Sequence, residues 1–328
     1  MINYPNYKVA VTQIAPVFLN LEASTEKACD YIKKAAEEGA KIIAFPEAYL
    51  PGYPYWIMYG DPFAYGLKYW DKFYRNSVEI PSDTIRRLSK AAKENHIYVC
   101  ISVTEKDGGS LYLTQLWFDN EGNLIGKHRK TRPTGPERTV WGEGDGSTMP
   151  VFDTPLGRLG GLQCWEHKMP TNLLAMASMN EQVHIGAWPG AVGAPDHLFN
   201  AQNDIVNSLY YASTLGTFVL MSTQIFTQEI LDMLEDTKGQ GLGGGHACII
   251  NPRGTIISER LDEKEEGILY ADIDLNDIIA CKYFIDPAGH YSKPNICKVV
   301  FNQECQTPII KTGAQMNYYI NADEIEEK

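Results

Sequence analysis

The fold is decided in Lys8–Phe45, KVAVTQIAPVFLNLEASTEKACDYIKKAAEEGAKIIAF. A β-rich run, Lys8–Ile14, opens it. Across Glu22–Glu38 the residues Ala28, Tyr31, Ile32, Ala35 and Ala36 recur at helical spacing. Gly39 stops that helix, as a residue free to turn left-handed does, and Lys41–Phe45 is a short apolar run typical of a buried strand. Strand, helix and strand in this order form a βαβ unit, so the two strands are predicted to be parallel.

Outward from this unit the order repeats. Ser82 caps a helix through Glu94, and Ile97–Val103 is a strand. Leu111–Phe118 and Leu124–Lys130 are joined by the turn Asp119–Asn123. In the second half Arg158–Gln163 reads as a strand, Pro170–Met179 as a helix, Val183–Trp188 as a strand, His197–Leu215 as a helix and Thr217–Thr223 as a strand. Ala247–Ile250 and Thr255–Glu259 flank the turn Asn251–Gly254, and Gly267–Ile273 closes the sheet. Strands alternating with helices imply an α/β layer architecture. No Pro/Gly/Ser-rich linker divides the chain, so residues 1–285 are expected to be one domain. Residues 286–328, where the pattern decays, are expected to form a C-terminal extension ending in the acidic Asp323–Lys328.

Composition narrows the function. The 328 residues carry 29 Lys+Arg against 41 Asp+Glu, a net charge of -12, which disfavours nucleic acid and anionic membranes as partners. The greasiest stretch, Ile42–Tyr59, is interrupted by Glu47, Pro46, Pro51, Gly52 and Pro54 and is not expected to span a bilayer. Met1–Lys8 lacks the basic-then-apolar pattern of a leader. Seven cysteines without paired spacing suit a reducing compartment, so a cytoplasmic protein is expected.

Chemistry concentrates where predicted strands end. Cys164 follows Arg158–Gln163 and precedes the helical run opening near Pro170, a setting in which a helix N-terminus would favour the thiolate. Glu47 lies just past Lys41–Phe45 among Phe45, Tyr49, Tyr53, Tyr55 and Trp56, where desolvation raises a carboxyl toward a useful general base. Lys130 ends Leu124–Lys130 within the basic run Lys127–Arg132 and can stabilise developing negative charge. The Gly-rich segment Pro133–Gly146 carries Glu137. Gly239-x-Gly241-x-x-Gly244 follows an acidic helical run and precedes a strand, the reverse of a dinucleotide-binding context. Cys164-x-x-His167 lacks a second metal-binding pair. Neither a metal nor an organic cofactor is indicated.

Phe45-Pro-Glu47-Ala, His128-Arg-Lys130 and Gly161-Leu-Gln-Cys164-Trp-Glu-His167, in this order, resemble the nitrilase superfamily of carbon–nitrogen hydrolases. The similarity runs from about Lys8 to about Ser292. Cys164-Trp-Glu, Pro51-Gly-Tyr-Pro54, Val140–Gly146 and Ala288-Gly-His-Tyr291 resemble the nitrilase branch, and within it Lys106–Thr114 and the whole tail are similar to bacterial cyanide dihydratases and arylacetonitrilases. The resemblance implies a four-layer αββα sandwich and a triad of Glu47, Lys130 and Cys164, with Glu137 as a second active-site glutamate. It also implies homo-oligomers, dimers stacking into spirals or filaments through C-terminal segments. Lys168-Met-Pro170 departs from relatives that carry an aromatic or apolar residue after the His. The expected reaction is hydrolysis of a small nitrile to a carboxylic acid and ammonia through a covalent thioimidate and thioester on Cys164. The backbone N–H of Trp165 would assist Lys130, and Tyr53, Trp56, Thr134 and Trp188 are expected pocket walls. Cyanide dihydratase, an amidase and a non-catalytic assembly protein are the competing readings.

Overall fold

The computed structural model describes residues 4–149, 151–191, 199–235, 237, 239–307, 309–310 and 312–313. The first half holds β1 (Asn6–Gln13), α1 (Leu21–Glu37), β2 (Ile42–Ala44), α2 (Tyr65–Arg75), β3 (Val78–Glu79), α3 (Asp83–Glu94), β4 (Tyr98–Asp107), β5 (Ser110–Phe118) and β6 (Leu124–Arg129). The second holds β7 (Phe152–Thr154), β8 (Gly157–Gln163), α4 (Pro170–Ser178), β9 (Val183–Trp188), α5 (Ala201–Leu215), β10 (Phe218–Thr223), α6 (Gln228–Met233), β11 (Cys248–Ile250), β12 (Gly267–Asp274) and α7 (Asp277–Phe284).

The deciding βαβ unit folds as its residues dictate. The Asn20 side chain accepts from Ala23 N and starts α1. Gly39, at φ +86°, supplies the left-handed turn that ends it. β1 and β2 then pair in parallel, Val9 opposite Ile42 and Val11 opposite Ala44. The sheet order is β6-β5-β4-β2-β1-β10-β9-β8-β7, with β12 antiparallel along β1 and β11 against β10.

Period two along the strands separates three cores. Val9, Val11, Ile42, Ala44, Cys100, Trp117, Leu159, Val183, Ile185, Phe218 and Leu220 pack together between the two halves of the sheet. Their neighbours Ala10, Ile43, Val99 and Ile101 face outward onto Ala28, Ile32 and Ala35 of α1 and Ile85, Leu88 and Ala92 of α3. On the other side Leu162, Val219 and Met221 face Leu173 and Met176 of α4 and Tyr211, Ala212 and Leu215 of α5. Gln115 of β5 reaches across to the carbonyls of Leu162 and Ile185, and Trp117 meets Phe152 at 5.5 Å. Helix, sheet, sheet and helix thus stack in four layers, the sheet wrapping into a nearly closed barrel. Full burial of each large aliphatic side chain in these cores contributes about 1.5–3 kcal/mol. No helix among the described residues is long and apolar enough to cross a membrane.

Three expectations change. Thr255–Glu259 is not a strand: only Ile256 bridges, to Ile250, because this segment runs over the surface past the turn. Leu124–Lys130 stops at Arg129, one residue short. The described part of His197–Leu215 is helical from Ala201, where Asn200 caps it; residues 197 and 198, like residues 1–3 and 314–328, lie outside the described residues. α2 and α7 were not foreseen. Beyond α7 the chain runs back over the surface, and Gln306 N donates to Asp145 Oδ2 at 2.7 Å.

Candidate active site

The carboxyl ends of β2, β6 and β8 deliver Glu47, Lys130 and Cys164 to one buried point. After β2, Glu47 N donates to Trp188 O (3.2 Å) and Glu47 O accepts from Gln224 Nε2 (2.5 Å). Ala48 takes φ +48°, so the chain turns sharply behind the carboxylate, and its N–H donates to Ser102 Oγ (2.9 Å). Ser102 Oγ in turn donates to Gln163 Oε1 at 2.5 Å, tying the Glu47 loop to the residue before the cysteine. Leu113 O accepts from both Lys130 N (2.8 Å) and Gln163 Nε2 (3.1 Å). Cys164 itself stands at φ +48°, a left-handed conformation that a residue with a Cβ keeps only where its surroundings impose it.

The basic run Lys127–Arg132 is sorted by strand geometry. Lys127 and Arg129 point to one face of β6 and pair with Glu105; His128 and Lys130 point to the other. Lys130 Nζ, fully buried, lies 2.9 Å from Glu47 Oε1 and 2.8 Å from Glu137 Oε2. Glu137 also accepts from Tyr53 Oη (2.8 Å) and Thr134 N (2.6 Å), which places Tyr53 and Thr134 around this carboxylate. Glu47 Oε2 is buried with no hydrogen-bond partner among the described residues, an acceptor left open.

Electrostatics follow from that packing. Burial would lower the Lys130 ammonium, but Glu137 and Glu47 outweigh it and hold the amine well above its ordinary range, hence charged. Burial pushes Glu47 up to about 8, opposed by Lys130 and helped by Glu137. The Cys164 thiol, 3% exposed, is pushed well up by burial and by Glu47, against Lys130. This corrects the expected thiolate: the residues Cys164–Lys168 form a 3₁₀ turn rather than the start of a helix, and desolvation dominates. The thiol is therefore a neutral group beside a desolvated carboxyl, an arrangement in which proton transfer to that carboxyl would turn the sulfur into a nucleophile.

A third buried carboxylate locks this arrangement. Glu166 accepts from Thr131 N and Oγ1 (2.8 and 2.7 Å), Gln163 N (3.0 Å) and His128 Nε2 (2.9 Å). His128 Nδ1 faces Thr148 O at 2.7 Å, so both ring nitrogens donate and the ring is an imidazolium. Burial opposes both charges, yet the pair holds Glu166 down to about 2 and raises His128. Sequence reasoning did not single out Glu166; its place three residues after Gln163, a capping-box position, was the available signal.

The remaining expected pocket walls separate. Trp165 stacks on Phe199 at 4.7 Å, and Trp188 stacks on His167 at 4.9 Å within the α4–α5 core. Trp56 stacks on Tyr69 and lines an apolar cavity of about 340 Å³ with Ile57, Phe63, Leu67, Trp70 and Val140. That cavity's lining contains none of Glu47, Lys130 and Cys164.

The chain is similar to known proteins. A family model described as "Carbon-nitrogen hydrolase" matches residues 8–283. The chain is 50% identical to a protein named "Nitrilase" from Bacillus sp. strain OxB-1, covering 99% of this chain and 97% of that one. It is 42% identical to an "Aliphatic nitrilase" from Rhodococcus rhodochrous (94% and 86% covered). Among solved structures, a carbon–nitrogen hydrolase from Helicobacter pylori superposes with a TM-score of 0.69 at 19% identity, covering 85% of this chain and 92% of that one, a likeness of fold.

Proposed function

The chain belongs to the carbon–nitrogen hydrolase family, and on that premise we propose that it is a nitrilase, converting a small nitrile and two waters into a carboxylic acid and ammonia through a covalent bond to Cys164. The observation that carries this reading is Lys130 Nζ bridging Glu47 Oε1 and Glu137 Oε2 beside a thiol whose titration both carboxylates influence.

The residues divide the work as follows. Glu47 Oε2, open and desolvated, takes the thiol proton as sulfur adds to the nitrile carbon, then returns it to the nitrile nitrogen, giving a thioimidate. Water adds with its proton passing to Glu47. Glu47 passes that proton to the nitrogen, the adduct's hydroxyl supplies the second as it becomes the carbonyl, and the C–N bond breaks to release ammonia and leave a thioester. A second water attacks and gives a proton to Glu47, the C–S bond breaks to release the acid, and Glu47 hands that proton to the departing sulfur. Lys130, charged and held between two carboxylates, stabilises the negative charge of each tetrahedral adduct, with the backbone N–H of Trp165 as its partner. Glu137 holds the ammonium in place, and Tyr53 and Thr134 hold Glu137.

The relatives reported above are named for nitriles, one of them for aliphatic nitriles, which supports a nitrile substrate. Nothing in them favours cyanide as the substrate. Homo-oligomerisation is part of this proposal: Val206, Tyr210, Ile279, Tyr283 and Phe284 expose apolar surface on α5 and α7. The seven cysteines, free in the structure, support a cytoplasmic setting. Ammonia release from cyanide, a short aliphatic dinitrile, phenylacetonitrile and acetamide, compared side by side, tests the substrate class. Turnover of a nitrile is expected; turnover of acetamide alone would overturn the reading.

A further inference from the structure

From the backbone carbonyl of Cys164, four buried polar side chains form a chain that the triad does not use. Cys164 O lies 2.6 Å from His167 Nδ1; His167 Nε2 lies 2.9 Å from His184 Nε2; His184 Nδ1 lies 2.8 Å from Glu181 Oε1; and Tyr211 Oη donates to Glu181 Oε2 at 2.5 Å. All four side chains are buried.

With both imidazoles neutral, proton counting fixes the direction of every bond. A carbonyl only accepts, so His167 Nδ1 carries hydrogen. With His167 neutral, its Nε2 is a lone pair and His184 Nε2 must donate. With His184 neutral, its Nδ1 is a lone pair and Glu181 Oε1 must supply the hydrogen. We propose that Glu181 works as a neutral carboxylic acid, the donor in a one-directional chain Tyr211→Glu181→His184→His167→Cys164 O that holds the cysteine in its left-handed turn. It is a positioning residue: it acts through the backbone of Cys164 and touches no reacting atom. The proposal rests on Cys164 being the nucleophile.

The surroundings favour the neutral chain. Trp188 stacks on His167 and Tyr211 lies on His184 with ring centres 3.9 Å apart. Two glycines in strand interiors leave the space it occupies. A Cβ on Gly160 would stand 2.2 Å from Glu181 Oε1, and one on Gly186 would stand 3.3 Å from His167 Nε2. Burial takes His167 down to about 3 and His184 well below its ordinary range, and pushes Glu181 up to about 8. The charged groups facing the chain are few: Lys282 of α7 faces Glu181 and, with the Tyr211 hydroxyl, favours its anion. Glu166 and His128 face His184, and Glu166 and Lys130 face His167.

Glutamine is an isostere of the protonated acid, because its amide N–H can donate to His184 while its oxygen accepts from Tyr211; leucine offers neither. Glu181→Gln is expected to keep kcat near that of the unmodified protein, whereas Glu181→Leu loses roughly 10- to 100-fold in kcat with KM little changed. A carboxyl raised in the folded state contributes stability that fades as pH rises from about 4.5 to about 8. The Tm of Glu181→Gln should therefore climb relative to the unmodified protein across that window. Tyr211→Phe removes a donor that favours the anion, so an alkaline fall in kcat, absent in Glu181→Gln, should move to higher pH. If Glu181→Leu does not fold, the other two variants still decide. Equal damage in Glu181→Gln and Glu181→Leu, a Tm difference flat with pH, or an alkaline limb unmoved in both Glu181→Gln and Tyr211→Phe would overturn the proposal. Cys164→Ala separates the two readings: loss of turnover there alongside a failed Glu181 test would leave the nucleophile standing and remove the chain.

Discussion

Glu47 carries two opposed demands. Its burial beside Lys130 raises its carboxyl, as the proposed base for the Cys164 thiol requires, and the same burial makes its charged form costly to the fold. Its carboxyl is raised to about 8, so it contributes stability at pH below about 4.5 that is lost as pH rises toward 8, the range in which it becomes a base. Glu47→Gln should lower kcat by roughly 10²- to 10⁴-fold, while its Tm rises relative to the unmodified protein between those pH values. A variant that loses activity without that pH-dependent gain would mean the carboxyl is not raised. Glu47, Lys130 and Cys164 were legible in the sequence because each sits where a strand hands over to a loop. The roles of Glu166, His128 and Glu181 were not: a buried carboxyl group declares its protonation state only through partners that tertiary structure brings to it, such as Thr131 N and Gln163 N for Glu166 and Tyr211 for Glu181.

At the scale of elements, the site is held by the joint between the end of β6 and the turn after β8, and Glu166 is that joint. Removing one partner of a buried charge pair leaves the other uncompensated, at a cost of about 3–5 kcal/mol. Glu166→Gln should therefore lower stability by about that much in urea unfolding, and it should also reduce kcat, since Lys130 and Cys164 lose their common anchor. Combined with His128→Gln, the two losses should be far from additive; additive losses would mean that the pair is not coupled. Glu166 is held down to about 2, so its contribution is present above about pH 4.5 and fades as pH falls toward 2. The parallel units were readable from period alone, and Lys8–Phe45 folds as its spacing dictates. α2 was not, because its buried stripe is only Tyr69 and Phe73 and its start depends on Asp61 Oδ1 accepting from Phe63 and Ala64. α7, DIIACKYF, is apolar almost all round with only Ile278 buried, so it carries no helical period to read. Thr255–Glu259 has strand-like residues but lacks a neighbouring strand beyond a single bridge.

For the whole molecule, a charge of -12 opposes association of copies, and the proposed oligomer must overcome it through apolar surface. Tyr283, Val300 and Ile310 are 80%, 90% and 80% exposed, an apolar surface at the end of the chain. Truncation after Ser292 is expected to move the protein to smaller species on a sizing column with the nitrile activity of each subunit retained; an unchanged elution volume would remove the oligomerisation arm from the account. The central claim is a bond between carbon and one sulfur. Intact-mass spectrometry of the full chain, quenched during turnover of a nitrile and followed by peptide mapping, measures it directly. The account predicts a single acyl or imidoyl adduct on the peptide carrying Cys164, absent from Cys164→Ala. An adduct on another of the seven cysteines, or turnover by Cys164→Ala, would contradict it.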